Sequence, residues 1–294
     1  MQKIAPFLWF DSQAEEAAEL YMALFPNSKI GNISRYGEDG GGQPGKVITL
    51  AFELDGMEFM ALNGGPLFSF TPAVSFFVTC ESRPEIDRIW NRLSEGGTVR
   101  MELQKYPFSD CFGWTADRFG VNWQLNLSAG KRKISPFLLF VGDQHGRVEE
   151  AIAEYVSVFE NSKSLRVERY GAGEGEREGA VKHALFELDG VQFMAMESGR
   201  EHAFGFNEAI SFFVNCTGQD EVDGLWAKLS AGGEPGQCGW LKDRFGVSWQ
   251  IVPTILGELL QDKDPAKAGR VMSAMLQMKK IDIADLKRAY EGKA

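Results

Sequence analysis

One series of short matches runs twice through this chain in the same order, and that duplication limits the possible folds more than any other feature. Ile4-Ala-Pro-Phe-Leu-Trp-Phe10 returns as Ile134-Ser-Pro-Phe-Leu-Leu-Phe140, and Arg35-Tyr-Gly37 as Arg169-Tyr-Gly171. Phe52-Glu-Leu-Asp-Gly56 returns as Phe186-Glu-Leu-Asp-Gly190, and Ser75-Phe-Phe-Val78 as Ser211-Phe-Phe-Val214. The longest match sets Asp117-Arg-Phe-Gly-Val-Asn-Trp-Gln124 against Asp243-Arg-Phe-Gly-Val-Ser-Trp-Gln250. The expected organisation is therefore a first domain at 1–128, a second at 134–253 and a tail at 254–294. The small, basic stretch Ser128-Ala-Gly-Lys-Arg-Lys133 has the composition of a linker. The repeats differ mainly in one loop, Thr98 to Phe112, which has few counterparts before Gly239.

Within each repeat the pattern predicts two β-α-β-β-β modules, an α+β fold. Ile4 to Phe10 alternates as a strand, and Ala14 to Phe25 sets Ala14, Ala17, Ala18, Tyr21, Leu24 and Phe25 on one helical face before Pro26. Ile30 to Tyr36 is a third element, and Val47 to Leu62 is a hairpin turning at Asp55-Gly56, a type I′ signal. Val74 to Cys80, a helix from Pro84 to Glu95, and strands near Gly97, near Trp114 and at Val121 to Leu127 repeat the order. Alternation then assigns faces. Val121, Trp123, Leu125 and Leu127 should pack on helices, as should Phe52, Leu54, Met57 and Phe59. The opposite face collects Ala5, Phe7, Trp9, Thr49, Ala51, Glu53, Met60, Ala73, Ser75, Phe77, Asn122 and Gln124. In the tail, Asp264-Pro265 has the form of a helix start, so two helices are expected, Pro265 to Met278 and Asp282 to Glu291.

Composition removes several function classes. A net charge of −10 opposes nucleic acid and anionic membranes as partners. No apolar run is long enough to span a bilayer, and Met1 leads directly into strand-like sequence, so the expected location is cytoplasmic. Cys80 and Cys216 occupy equivalent positions after apolar runs and read as small core residues; no C-x-x-C is present.

Glu-Glu-Ala-Ala-Glu-Leu-Tyr21, Ser-Phe-Phe-Val78 and Gly-Trp114 before Asp-Arg-Phe-Gly-Val-Asn-Trp-Gln124 resemble the PhnB-like branch of the vicinal-oxygen-chelate (glyoxalase and bleomycin-resistance) superfamily. Cys-Gly-Trp-Leu-Lys-Asp-Arg-Phe-Gly-Val-Ser-Trp-Gln250 and the tail's Met-Lys-Lys-Ile-Asp-Ile283 are similar to it as well. The resemblance implies two tandem glyoxalase-like domains in which paired modules curl an eight-stranded sheet around a pocket. Members of the branch carry the label of demethylubiquinone methyltransferases. A nucleotide-type methyl donor calls for a Gly-rich strand-to-helix turn, and the Gly37 to Gly45 stretch lacks that spacing and leads into a strand. The superfamily's metal enzymes bind a divalent ion through His and Glu at fixed strand positions. Here those positions fall on Ala5, Met60, Ala73 and Gln124, and on Ser135, Met194, Ala209 and Gln250, which argues against a metal.

These readings lead to a metal-free small-molecule-binding protein with no cofactor. Its pocket residues are expected to be Phe7, Trp9, Thr49, Met60, Ser75, Phe77, Asn122 and Gln124, with Phe137, His183, Met194, Ser211, Phe213, Ser248 and Gln250 from the second repeat. Glu53, Glu187 and His183 are candidate bases for an enzyme reading (lyase, isomerase, oxygenase or methyltransferase), and a sequestering protein of the bleomycin-resistance kind is a third possibility. Asp117-Arg118 and Asp243-Arg244 read as turns, and Glu197, where the first repeat has Asn63, as a surface residue. Two pairings stay open: modules joined within a repeat, or the first module of one repeat joined to the second of the other. The short linker favours repeats that pair with each other and a monomer over a dimer.

Overall fold

The structure, a computed structural model, describes residues 2–36, 44–129 and 133–293. Residues 37–43 of the glycine-rich stretch and 130–132 of the linker lie outside the described residues. The first repeat supplies β1 (Ile4–Phe10), α1 (Ala14–Leu24), β2 (Lys29–Arg35), β3 (Val47–Leu54) and β4 (Met57–Asn63), then β5 (Val74–Cys80), α2 (Arg83–Ser94), β6 (Thr98–Tyr106), β7 (Ser109–Ala116) and β8 (Asn122–Leu127). The second supplies β9 (Lys133–Phe140), α3 (Val148–Val158), β10 (Lys163–Arg169), β11 (Val181–Leu188) and β12 (Val191–Glu197). It continues with β13 (Ile210–Cys216), α4 (Gln219–Leu229), β14 (Glu234–Pro235), β15 (Trp240–Lys242) and β16 (Ser248–Pro253). The tail forms α5 (Thr254–Leu260), α6 (Pro265–Met275) and α7 (Ile283–Glu291).

Local chemistry accounts for most of these boundaries. Helix α1 stops at Leu24, one residue earlier than expected, because Phe25 precedes Pro26 and is extended at φ −109°, ψ 121°. Asp55-Gly56 and Asp189-Gly190 turn both hairpins with positive φ at each residue, as a type I′ turn requires. Asp264 caps α6 by accepting from the Ala266 N–H at 2.9 Å, and Asp282 caps α7 through the Asp285 N–H. Helix α6 ends at Met275 rather than Met278, and the seven-residue α5, which contains Gly257, was not anticipated.

Strand pairing crosses the repeats. One eight-stranded sheet has the order β10-β11-β12-β9-β5-β8-β7-β6, and the other β14-β15-β16-β13-β1-β4-β3-β2. Each sheet thus takes one module from each repeat. In the first, β5 runs antiparallel to β9 with Phe77 opposite Ser135 and Ser75 opposite Phe137. The chain's two compact units, 6–210 and 1–5 with 211–294, consequently do not follow the repeat boundaries.

In the 6–210 unit, Asp117 joins the two modules of the first repeat. Its buried carboxylate accepts from the Tyr21 hydroxyl of α1 at 2.6 Å, from Trp123 Nε1 at 2.9 Å, and from the Phe119 and Val121 N–H groups. Burial pushes its pKa up, while these donors pull it back toward the charged form. The adjacent Arg118 is bound to Glu16 at 2.9 Å, and the Asp-Arg pair forms the expected turn. Asp243 repeats the arrangement with the Phe245 and Val247 N–H groups and Trp249 Nε1. Replacing Asp117 with Ala should cost at least about 3 kcal/mol in denaturant unfolding, since several buried donors lose their acceptor; a loss below about 1 kcal/mol would contradict this role.

In the other unit, Leu256, Val271, Ile281 and Leu286 of the tail form a buried cluster with Val252 of β16, and Phe213 of β13 packs against it. The tail is also tied to the β14–β15 loop, where Cys238 and Gly239 donate to the carbonyls of Met278 and Lys279, each at 2.7 Å. Ile281→Ala should cost about 2–5 kcal/mol, the range for truncating a fully buried aliphatic side chain. An unchanged melting temperature would show that the tail does not support the body.

Candidate functional site

The β5–β9 junction sets two aromatic rings side by side. Phe77 and Phe137 lie two residues out of register on antiparallel neighbours, a diagonal pair on one face, and their centroids are 6.2 Å apart at an interplanar angle of 21°. Gln124 of β8 is opposite Phe77, and Met194 of β12 is opposite Phe137. Leu139 and Met196 pair one step further along. On this face opens a cavity of about 800 Å³ lined by Phe77, Phe137, Leu139 and Met196, by Trp114, Phe112 and Asn126 of β7 and β8, and by His183 of β11. Gln124 lines it too, held by its Nε2 bond to the buried Ser75 Oγ at 2.9 Å. At the mouth, Phe108 at the β6–β7 turn is 64% exposed and stacks on Tyr106.

The hairpin that differs between the repeats supplies one wall. Val99 pairs with Thr115 but Met101 pairs with Trp114, so the register shifts at Arg100. A bulge of this kind re-aims side chains, and consecutive residues Arg100 and Met101 both line the cavity. Regular alternation would send them to opposite faces. The Arg100 Nε donates to Asn122 Oδ1 at 2.6 Å, and burial holds its guanidinium pKa below the usual value.

The opposite wall is charged and internally paired. Arg166 lies 3.3 Å from Glu168, and Lys182 3.1 Å from Glu174. Glu174 is held below the usual carboxylate range by the Gly171 N–H first and Lys182 second. Glu176 accepts from the Gly199 N–H at 3.1 Å and faces His145 at 3.9 Å. His183 has its pKa lowered by burial, with Arg166 adding to the shift. Its Nδ1 and the Trp114 Nε1 are shielded from solvent and have no hydrogen-bond partner among the described residues.

Of the expected pocket residues, Phe77, Gln124, Phe137 and His183 come together here. Ser75, Asn122 and Met194 belong to the same sheet but lie beneath the lining, at 0%, 0% and 8% exposure. Phe7, Trp9, Thr49 and Met60 lie on β1, β3 and β4, and Ser211, Phe213, Ser248 and Gln250 on β13 and β16, all strands of the other sheet. There Gln250 donates to Ser211 as Gln124 does to Ser75, while Phe213 is packed against the tail. The candidate bases Glu53 and Glu187 sit by the hairpin turns, bound to Lys29 at 2.7 Å and Lys163 at 3.5 Å, and do not line this cavity. Glu197 is not a surface residue: it is 2% exposed and accepts from the N–H groups of Gly146 and Val181, as Asn63 accepts from Ala14. Arg100, Met101, Phe108, Phe112 and Trp114 were missed; for all but Trp114 the signal was the unmatched Thr98-to-Phe112 segment, which carries three aromatics.

The superfamily's metal positions in this sheet are Ala73, Gln124, Ser135 and Met194. One alkyl group, one amide, one hydroxyl and one thioether do not fit a hard or borderline divalent cation, and among the described residues no cluster of His, Cys, Asp and Glu has the makings of a metal site. No helix among the described residues is long and apolar enough to cross a membrane. Cys80 and Cys216 are buried free thiols in the core, the latter pushed up to about 12 by burial.

The model of one protein family matches twice, at residues 2–126 and 132–252. Among solved structures, the putative 3-demethylubiquinone-9 3-methyltransferase, PhnB protein, from Bacillus cereus is 48% identical, covering 43% of this chain and 100% of its own, with a TM-score of 0.42. Glyoxalase I from Zea mays is 10% identical over 84% of this chain and 92% of its own, with a TM-score of 0.53, a likeness of fold alone. None of the curated proteins matches. The chain therefore belongs to the family described as 3-demethylubiquinone-9 3-methyltransferase and carries its domain twice.

Proposed function

We propose that the protein binds a small organic molecule, without a metal, in the cavity of the β5–β12 sheet. The observation that carries this reading is a pair of orphaned nitrogens, Trp114 Nε1 and His183 Nδ1, in the lining of the cavity beside its aromatic side chains. Buried polar atoms without partners are costly, and a bound molecule with matching polar groups removes that cost. A volume of about 800 Å³ lies within the range of small-molecule sites, and the aromatic part of the lining, with Phe77, Phe112, Trp114 and Phe137, suits a flat apolar body.

A neutral fluorescent amine, N-phenyl-1-naphthylamine, serves as a test ligand. It should saturate near one site per chain, because the β13 and β16 positions that correspond to Phe77 and Asn126, namely Phe213 and Val252, are buried against the tail. Phe137→Ala should weaken it about tenfold, the effect of losing roughly one aromatic contact. Binding that ignores this substitution would refute the site.

The purified protein should also keep its ligand affinity after exhaustive chelation. Near one equivalent of Zn, Fe, Mn or Ni per chain, independent of any purification tag, would contradict the donor-set argument.

A further inference from the structure

We propose that the ligand of this cavity is an organic anion and that its charged group is held by Arg100. The inference deepens the function proposed above and rests on that reading. Four cationic side chains line the cavity, and two of them are already paired, Arg166 with Glu168 and Lys182 with Glu174. Among the described residues no carboxylate pairs with Arg100 or with Arg200. The acids of the lining are engaged on the β10–β11 side, by lysine, arginine and backbone N–H groups. The β6–β7 side is left with an unbalanced positive charge.

The position of Arg100 is built rather than incidental. The register shift between Val99 and Met101 turns it onto the cavity face, and Asn122, itself fully buried and bonded to the Gly120 carbonyl at 3.1 Å, fixes the guanidinium through Nε. The remaining guanidinium N–H groups keep their donor capacity, and a planar fork of donors matches a carboxylate, sulfonate or phosphate. Trp114, whose Nε1–H is orphaned, pairs with Met101, the residue after Arg100. Both groups donate and neither accepts, so acceptor oxygens satisfy them together. The partial desolvation that lowers the Arg100 pKa would strengthen such a contact. The second repeat lacks the device: β14 and β15 are two and three residues long and carry no arginine.

The test compares two probes with one hydrocarbon skeleton, 8-anilinonaphthalene-1-sulfonate and the neutral N-phenyl-1-naphthylamine, titrated against the full chain and its Arg100→Gln variant. The sulfonate should bind about tenfold or more tightly than the amine, and Arg100→Gln should remove that advantage. The amine's affinity should be unchanged by the substitution, which shows that the variant is folded and its cavity intact. Equal affinities in the native chain, or an equal loss for both probes in the variant, overturn the proposal while leaving the cavity as a binding site. A sulfonate that does not bind overturns it whatever the amine does, and failure of the amine as well removes the underlying site.

Discussion

Strands β5 and β9 run antiparallel from Val74 opposite Leu138 to Thr79 opposite Lys133, and this pairing brings together segments that belong to different repeats. Phe77 and Phe137 are neighbours because of it. So are the hairpin carrying Arg100 and Trp114 and the strands carrying His183 and Met196, which flank the pair on either side. The connection between β8 and β9 is compatible with this order. A chain leaving β8 must pass β5 to reach β9, a lateral step of about 10 Å, or two strand spacings.

Duplication gave two copies of the same landmarks, but the copies are used differently. Gln124 and Gln250 each bond a buried serine, and Asp117 and Asp243 each gather the same turn N–H groups and indole. Beyond these shared features the second modules diverge. Asn126 lines a cavity beneath a long hairpin, whereas its counterpart Val252 is buried with Leu256, Val271 and Ile281 of the tail. Apolar burial stabilises at about 25 cal/mol per Å², so the tail cluster converts a face that in the other sheet lines a cavity into protein core.

Periodicity and turn chemistry made the elements legible before any coordinates. Ile4 to Phe10 and Val74 to Cys80 are strands at the expected residues, and Asp55-Gly56 turns as its sequence requires. Face assignment was legible too, since Trp123 and Leu125 are buried at 1% and 0% on the helix side. What failed depended on contacts distant in the chain. Glu197 looked exposed because an acid at the end of a strand is normally solvated, yet its partners are backbone N–H groups as far away as Gly146. The bulge at Arg100 interrupts alternation without a glycine to mark it. Alternation is likewise silent on which module pairs with which, so seven of the expected pocket residues fall on one sheet, four of them lining its cavity, while eight belong to strands of the other.

The pairing of modules across repeats is the claim from which the cavity, its aromatic floor and its charged walls all follow. Interstrand nuclear Overhauser effects on the deuterated full-length protein test it directly. The structure predicts cross-peaks that link β5 to β9, with Phe77 near Ser135 and Ser75 near Phe137. Cross-peaks linking β5 instead to β1, so that the first repeat closes on itself, would contradict the account.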